Sequence, residues 1–136
     1  MKQDLPHPDL VDEWLKRAYD DELNIRSILK HRDGTSAVVC FLSQQMAEKH
    51  FKALLLKLTG KHPKVHDLGQ LAELTTPYFK KTVKELTEEM VLLNRYYIGT
   101  RYPGDIDITS FSWEMAEEAF DAAMIIKNFV LEKLYR

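Results

Sequence analysis

Apolar residues recur along the chain at three- and four-residue steps in every long segment, and no β-branched alternating runs bounded by turns occur. The pattern predicts an all-α protein. Val11, Trp14, Leu15, Ala18, Ile25 and Ile28 form the stripe of a first helix. That helix should open at Pro8, with Asp9, Asp12 and Glu13 facing the positive end of its dipole, and stop at the Asp33-Gly34 turn signal. Thr35 or Ser36 can cap a second helix ending at Gly60. Its residues Ala37, Phe41, Ala47, Phe51, Leu54, Leu55 and Leu58 give an apolar face wide enough for a central position.

Pro63 makes 61–66 a loop, after which Asp67 and Gln70 have the spacing of a capping box opening a short helix with Leu68, Leu71 and Leu74. Phe79, Val83, Leu86, Met90, Leu93 and Tyr97 predict the next helix over 77–98, broken by Gly99. A polar loop with Pro103 and Gly104 leads to Ser112, which caps a last helix carrying Trp113, Ala116, Ala119, Phe120, Ala123, Val130 and Leu134. Four long helices and one short one predict an antiparallel four-helix bundle with an additional short helix. Residues 1–136 read as a single domain, without repeats or low-complexity tracts.

Two places break the apolar pattern. Asp21 stands one heptad after Trp14 and one before Ile28, where a carboxylate is costly unless a cation meets it. On the second helix, Gln44 and Glu48 lie on the Phe41–Phe51 line, with Gln45, Lys49 and Lys52 on an adjacent face. Asp21, Gln44 and Glu48 thus define a polar network. Either Asp21 pairs with Lys49 or Lys52 as a structural ion pair, or the network shapes a polar pocket, and the two readings are compatible.

Composition narrows the chemistry. The chain has 136 residues, 45% of them hydrophobic, enough for one real core, and its 29% charged residues leave a net charge of only −2. No global basic field exists, so any RNA or nucleotide site must be local. The single cysteine, Cys40, lies among Val38, Val39, Phe41 and Leu42 and reads as a buried small hydrophobe, which fits a reducing compartment. No run of 18 apolar residues and no leader-like N-terminus occurs, which predicts a cytoplasmic protein with no membrane contact. Glu-x-x-His pairs are absent, Pro63 spoils the His62/His66 spacing, and there is no Gly-rich phosphate loop, so neither metal nor cofactor is expected.

The densest candidate chemistry is Arg95, Tyr96, Tyr97, Arg101 and Tyr102. Guanidinium groups grip phosphate through paired hydrogen bonds, and aromatic faces stack on bases. The competing reading makes Tyr97 core and has the arginines bind carboxylates or helix-terminal carbonyls.

Gln44-Gln45-Met46-Ala47-Glu48-Lys49-His50-Phe51-Lys52-Ala53-Leu54, Val65-His66-Asp67-Leu68 and Arg95-Tyr96-Tyr97-Ile98-Gly99-Thr100-Arg101-Tyr102-Pro103 together resemble signatures of the HEPN (higher eukaryote and prokaryote nucleotide-binding) family. Valine stands where that family usually has threonine before His-Asp-Leu. The resemblance implies a four- or five-helix bundle, commonly a homodimer, often encoded beside a minimal nucleotidyltransferase in a two-component, toxin-antitoxin-like pair. The leading reading of the residues together with that resemblance is a ligand site for nucleotide or RNA at Arg95, Tyr96, Arg101 and Tyr102, with local charge from Lys49 and Lys52.

Catalytic members of the family pair an arginine with a histidine after four to six intervening residues, forming a metal-independent ribonuclease site. Here Arg95 is followed at those places by Thr100, Arg101 and Tyr102, and all five histidines precede it. The chain is therefore expected to bind or to pair rather than to cleave. One alternative is an RNA-cleaving toxin using Arg95 with an unusual base such as His66; another is a non-catalytic dimerisation or interaction module. In some toxin members of the family a tyrosine just past the histidine is nucleotidylated by the partner, and Tyr102 is its nearest equivalent.

Overall fold

The computed structural model describes residues 8–97 and 108–135 of the chain. Its element order is α1 (Pro8–His31), α2 (Ser36–Thr59), α3 (Leu68–Thr75), α4 (Thr82–Asn94) and α5 (Trp113–Leu134), with one 3-10 turn at Ile108–Ser110. Among the described residues there is no strand, and no helix is long and apolar enough to cross a membrane.

Most helix ends follow their capping chemistry. Thr35 Oγ1 accepts from Val38 N, Asp67 Oδ1 from Gln70 N and Ser112 Oγ from Met115 N, each answering an otherwise unpaired first-turn amide. Gly60 closes α2 with φ 79° and donates its N–H to Leu56 O, a left-handed cap that favours glycine. At the end of α1 the left-handed residue is Arg32 (φ 58°), not Gly34. Its guanidinium pairs with Glu117 at 2.9 Å and lies 4.3 Å from the Trp113 ring centroid, contacts that offset the strain of a side chain in that conformation.

The predicted helix over 77–98 is shorter at both ends. Thr75 O, near the end of α3, captures the amides of both Tyr78 and Phe79, so the chain is spent in turns before Thr82, and Phe79 packs from a turn instead of a helix. At the other end Tyr96 N bonds Leu93 O and Tyr97 N bonds Asn94 O, tightening the chain out of α-helical register. Ile98 and Gly99 lie outside the described residues.

Consecutive long helices alternate in direction, so α2 and α5 run parallel. Ser36 Oγ bonds Phe111 O at their N-terminal ends, and Lys57 Nζ reaches Leu134 O at their C-terminal ends. The central helix is α2, which packs on α1, α3, α4 and α5 and buries residues on all sides. Ile25, Met46, Phe51, Leu54, Leu71, Leu93 and Ile126 are among the largest fully buried side chains of the core. A helix covered on every side cannot leave its polar residues in water; they need partners.

Candidate functional site

Gln44, Glu48 and Lys52 stand four residues apart on α2 and therefore share one face. Gln44 Nε2 donates to Glu48 Oε1 (3.2 Å) and Lys52 Nζ to Glu48 Oε2 (2.9 Å). The same carboxylate oxygen lies 2.8 Å from His66 Nδ1, which the loop after α2 brings back over the helix. Gln44 Nε2 also reaches His66 O at 3.5 Å, a long contact. Beside this row Lys49 Nζ meets Asp21 Oδ2 at 2.7 Å, so α1 and α2 are joined by the structural pair that the misplaced carboxylate requires. Burial pushes the Asp21 carboxyl above its ordinary range, while the Lys49 hydrogen bond and charge pull it back.

The imidazole of His66 is 46% exposed and stacks on the Tyr97 ring, with centroids 5.0 Å apart and planes 14° from parallel. Its Nε2 has no partner among the described residues. Two clamps deliver Tyr97 to this position: Asn94 Oδ1 accepts from Leu68 N (3.0 Å), and Asn94 Nδ2 reaches Asp67 Oδ2 (3.4 Å). The last residue of α4 is thereby pinned to the first turn of α3. The product is a shelf: a carboxylate-held histidine under a tyrosine, at the threshold of the 98–107 segment.

The residues expected to bind ligand do not all gather there. Lys49 and Lys52 face Asp21 and Glu48, and Lys52 also lies 5.6 Å from the Trp14 ring centroid, so both charges are compensated inside the protein. Tyr96, expected to offer a stacking face, is 4% exposed and packs on Phe111 (centroids 5.7 Å apart), because the tightened turn after α4 aims it at the core. Burial raises its phenol to about 12, with a Cys40 hydrogen bond adding to the shift, and burial raises the Cys40 thiol to about 11. Arg95 is exposed and makes no ion pair among the described residues. It lines an open groove of about 700 Å³ between α4 and α5 beside Glu88, Leu92, Glu118 and Asp121, on a different face from the His66 shelf. Arg101 and Tyr102 fall outside the described residues.

Sequence reasoning missed the Glu48–His66–Tyr97 arrangement. The available signal was the Gln44/Glu48/Lys52 spacing, which leaves a carboxylate facing any group the following loop returns. It also missed a second polar cluster on the other side of α2. There Glu22 binds Lys127 (2.6 Å) and Arg26 (2.9 Å), and these contacts outweigh burial and hold its carboxyl below the ordinary range. Near them His50 is buried with neither ring nitrogen partnered among the described residues. No three His, Cys, Asp or Glu side chains converge into a metal-binding group among the described residues.

No curated protein sequence matches the chain. The fold is similar to TT1696 from Thermus thermophilus, with a TM-score of 0.77 and 31% identity over 90% of this chain and 97% of that one. It is also similar to ST0689, an archaeal HEPN homologue, with a TM-score of 0.71 and 28% identity over 98% of each chain. A HEPN domain model matches residues 11–134, and that span includes the Glu48–His66–Tyr97 shelf and the whole helical core: the chain belongs to the HEPN domain family.

Proposed function

We propose that this HEPN protein binds a nucleotide or a short stretch of RNA at the His66–Tyr97 shelf and the adjoining 95–102 segment, and that it works as a homodimer partnered by a minimal nucleotidyltransferase. The observation that carries the reading is the Glu48–His66–Tyr97 arrangement: a partly buried carboxylate fixes an exposed imidazole against an aromatic ring at the edge of a segment rich in arginine and tyrosine. An aromatic surface offers a stacking platform, and Arg101 in the adjoining segment supplies a group suited to phosphate. The dimer contact is assigned to the α4–α5 groove, where Arg95 lies among carboxylates and the exposed Val91 and Ile125 supply apolar area.

Titration of the full chain with nucleoside triphosphates and short RNAs at low salt tests the binding claim. Tyr97→Ala and Arg101→Ala should each weaken binding; affinities equal to wild type in both would remove the assigned site. Co-purification with a co-expressed minimal nucleotidyltransferase tests the partnership, and mass spectrometry of Tyr102 after co-expression tests its modification. His66 Nε2, unpartnered among the described residues while Glu48 holds Nδ1, favours a second reading as a ribonuclease whose base is His66 and whose phosphate-binding cation is Arg95 of the second copy in the homodimer, since Arg95 faces away from His66 within one protomer. That reading requires RNA cleavage that survives a chelator and disappears in both His66→Ala and Arg95→Ala.

A further inference from the structure

The two ends of α4 carry opposite charge. Its C-terminal half and the facing start of α5 hold Glu88, Glu89, Glu118 and Asp121 around the open groove. At its N-terminal end, against the last turns of α5, a smaller cavity of about 230 Å³ is lined by Tyr78, Phe79, Lys80, Lys81, Phe129 and Lys133. Lys84 follows in the next turn, and Lys57 reaches the same end of the bundle through its bond to Leu134 O. In a chain with a net charge of −2, this corner is a local concentration of cations.

The Lys133 ammonium is its anchor. Only 13% of that side chain is exposed, and the nitrogen lies 5.3 Å and 5.1 Å from the Phe79 and Phe129 ring centroids. Its carboxylate contact is the neighbouring, exposed Glu132 at 3.7 Å, a weak return for a cation taken largely out of water. Lys80 and Lys81 are exposed at the rim, and the Tyr78 ring beside them is 49% exposed. One held cation with two more at the rim, next to an open aromatic face, matches a phosphate with a base attached to it.

We infer that the cavity formed by Tyr78, Lys80, Lys81 and Lys133 binds a nucleotide phosphate, with the base stacked on Tyr78, and that the successive lysines take it from a single-stranded RNA chain. The site stands apart from the His66–Tyr97 shelf, at the opposite end of a 13-residue helix, roughly 20 Å away at helical rise. Glu85 also lines the cavity and opposes an anion, so it sets an upper limit on affinity that a substitution can lift.

Fluorescence anisotropy of a labelled short oligouridylate with the full chain, over a salt series, tests the assignment. Lys80→Gln/Lys81→Gln should weaken binding about tenfold at low salt and reduce the salt slope by about 1.4, roughly 0.7 for each lysine–phosphate pair removed from a single strand. Glu85→Gln should tighten binding, and Tyr78→Ala should weaken the oligonucleotide while leaving competition by inorganic pyrophosphate unchanged. Displacement by uridine triphosphate at far lower concentration than by unlabelled oligouridylate would overturn the RNA source. Absence of wild-type binding at low salt, or a double lysine variant with wild-type affinity and slope, overturns the site itself. Tyr97→Ala separates the two sites: loss of binding only in the lysine variant leaves this corner standing and removes the shelf, and loss only in Tyr97→Ala does the reverse.

Discussion

His50 should make the protein sensitive to acid, and its replacement should remove that sensitivity. The imidazole is 3% exposed and neither nitrogen has a partner among the described residues. Burial first, and the Lys127 charge second, lower it from its ordinary 6.5 to about 4, with Glu22 opposing weakly. Because the folded-state value is the lower one, the unfolded chain takes up a proton before the folded chain does. The contribution is absent above pH 6.5, grows as pH falls and levels off near pH 4. At pH 4.5 the two values give a loss of about 2–3 kcal/mol relative to pH 7, from the linkage relation. His50→Leu keeps a similar volume and deletes two unpaired polar atoms, so at pH 7 it should be neutral or stabilising by about 1 kcal/mol. Urea unfolding followed by circular dichroism at both pH values measures the difference between variant and wild type. That difference should widen in favour of the leucine variant by about 2 kcal/mol or more on acidification. If the two proteins lose stability in parallel, His50 is not the acid-sensitive group.

Lys49→Met leaves the Asp21 carboxylate buried without its cation and should cost about 1–3 kcal/mol in urea unfolding, discounted for the partial exposure of the lysine; adding Asp21→Leu should recover most of the loss. Asn94→Ala removes both clamps between α3 and α4, so the Leu68 amide should exchange with solvent faster and stability should fall by about 1–2 kcal/mol. Cys40 is fully buried with its thiol raised to about 11, so a disulfide reagent at neutral pH should modify it at the rate of unfolding, and mixing at once with native protein would contradict the packing.

The helices were legible because their signals are local. Thr35, Asp67 and Ser112 announce caps, Gly60 announces a left-handed end, and the apolar spacing of α2 shows a helix with neighbours on every side. The start of α4 was not, because Thr76-Pro77 has the composition of a helix start while the competing bonds from Thr75 O depend on how α3 is held. The polar network was half legible. Asp21 among apolar positions demands a cation, and Lys49 supplies it. Nothing local says that His66 folds back onto Glu48, a contact 18 residues away, or that Tyr96 turns inward while Tyr97 stacks. Adjacent tyrosines have the same composition signal; the 3-10 tightening after Asn94 decides which one faces the core.

The central position of α2 also explains why chemistry moves to the edges of the fold. A helix that buries Gln44, His50 and Lys52 together with its apolar residues can keep charges only if they are matched, and Lys49 and Lys52 are matched by Asp21 and Glu48. Their ammonium groups are held by partners on α1 and α2, and removing either leaves a carboxylate without its lysine in a poorly solvated place. Recruiting them for phosphate would mean breaking those pairs first. Groups that can meet a ligand without that cost stand where helices end: His66 and Tyr97 beyond α2 and α4, Arg95 at the α4 cap, and Tyr78, Lys80 and Lys81 in the turns before α4. Substitutions at the first set should therefore change stability before binding, and substitutions at the second should change binding with the melting temperature held, a separation that thermal unfolding and ligand titration of the same variants read directly.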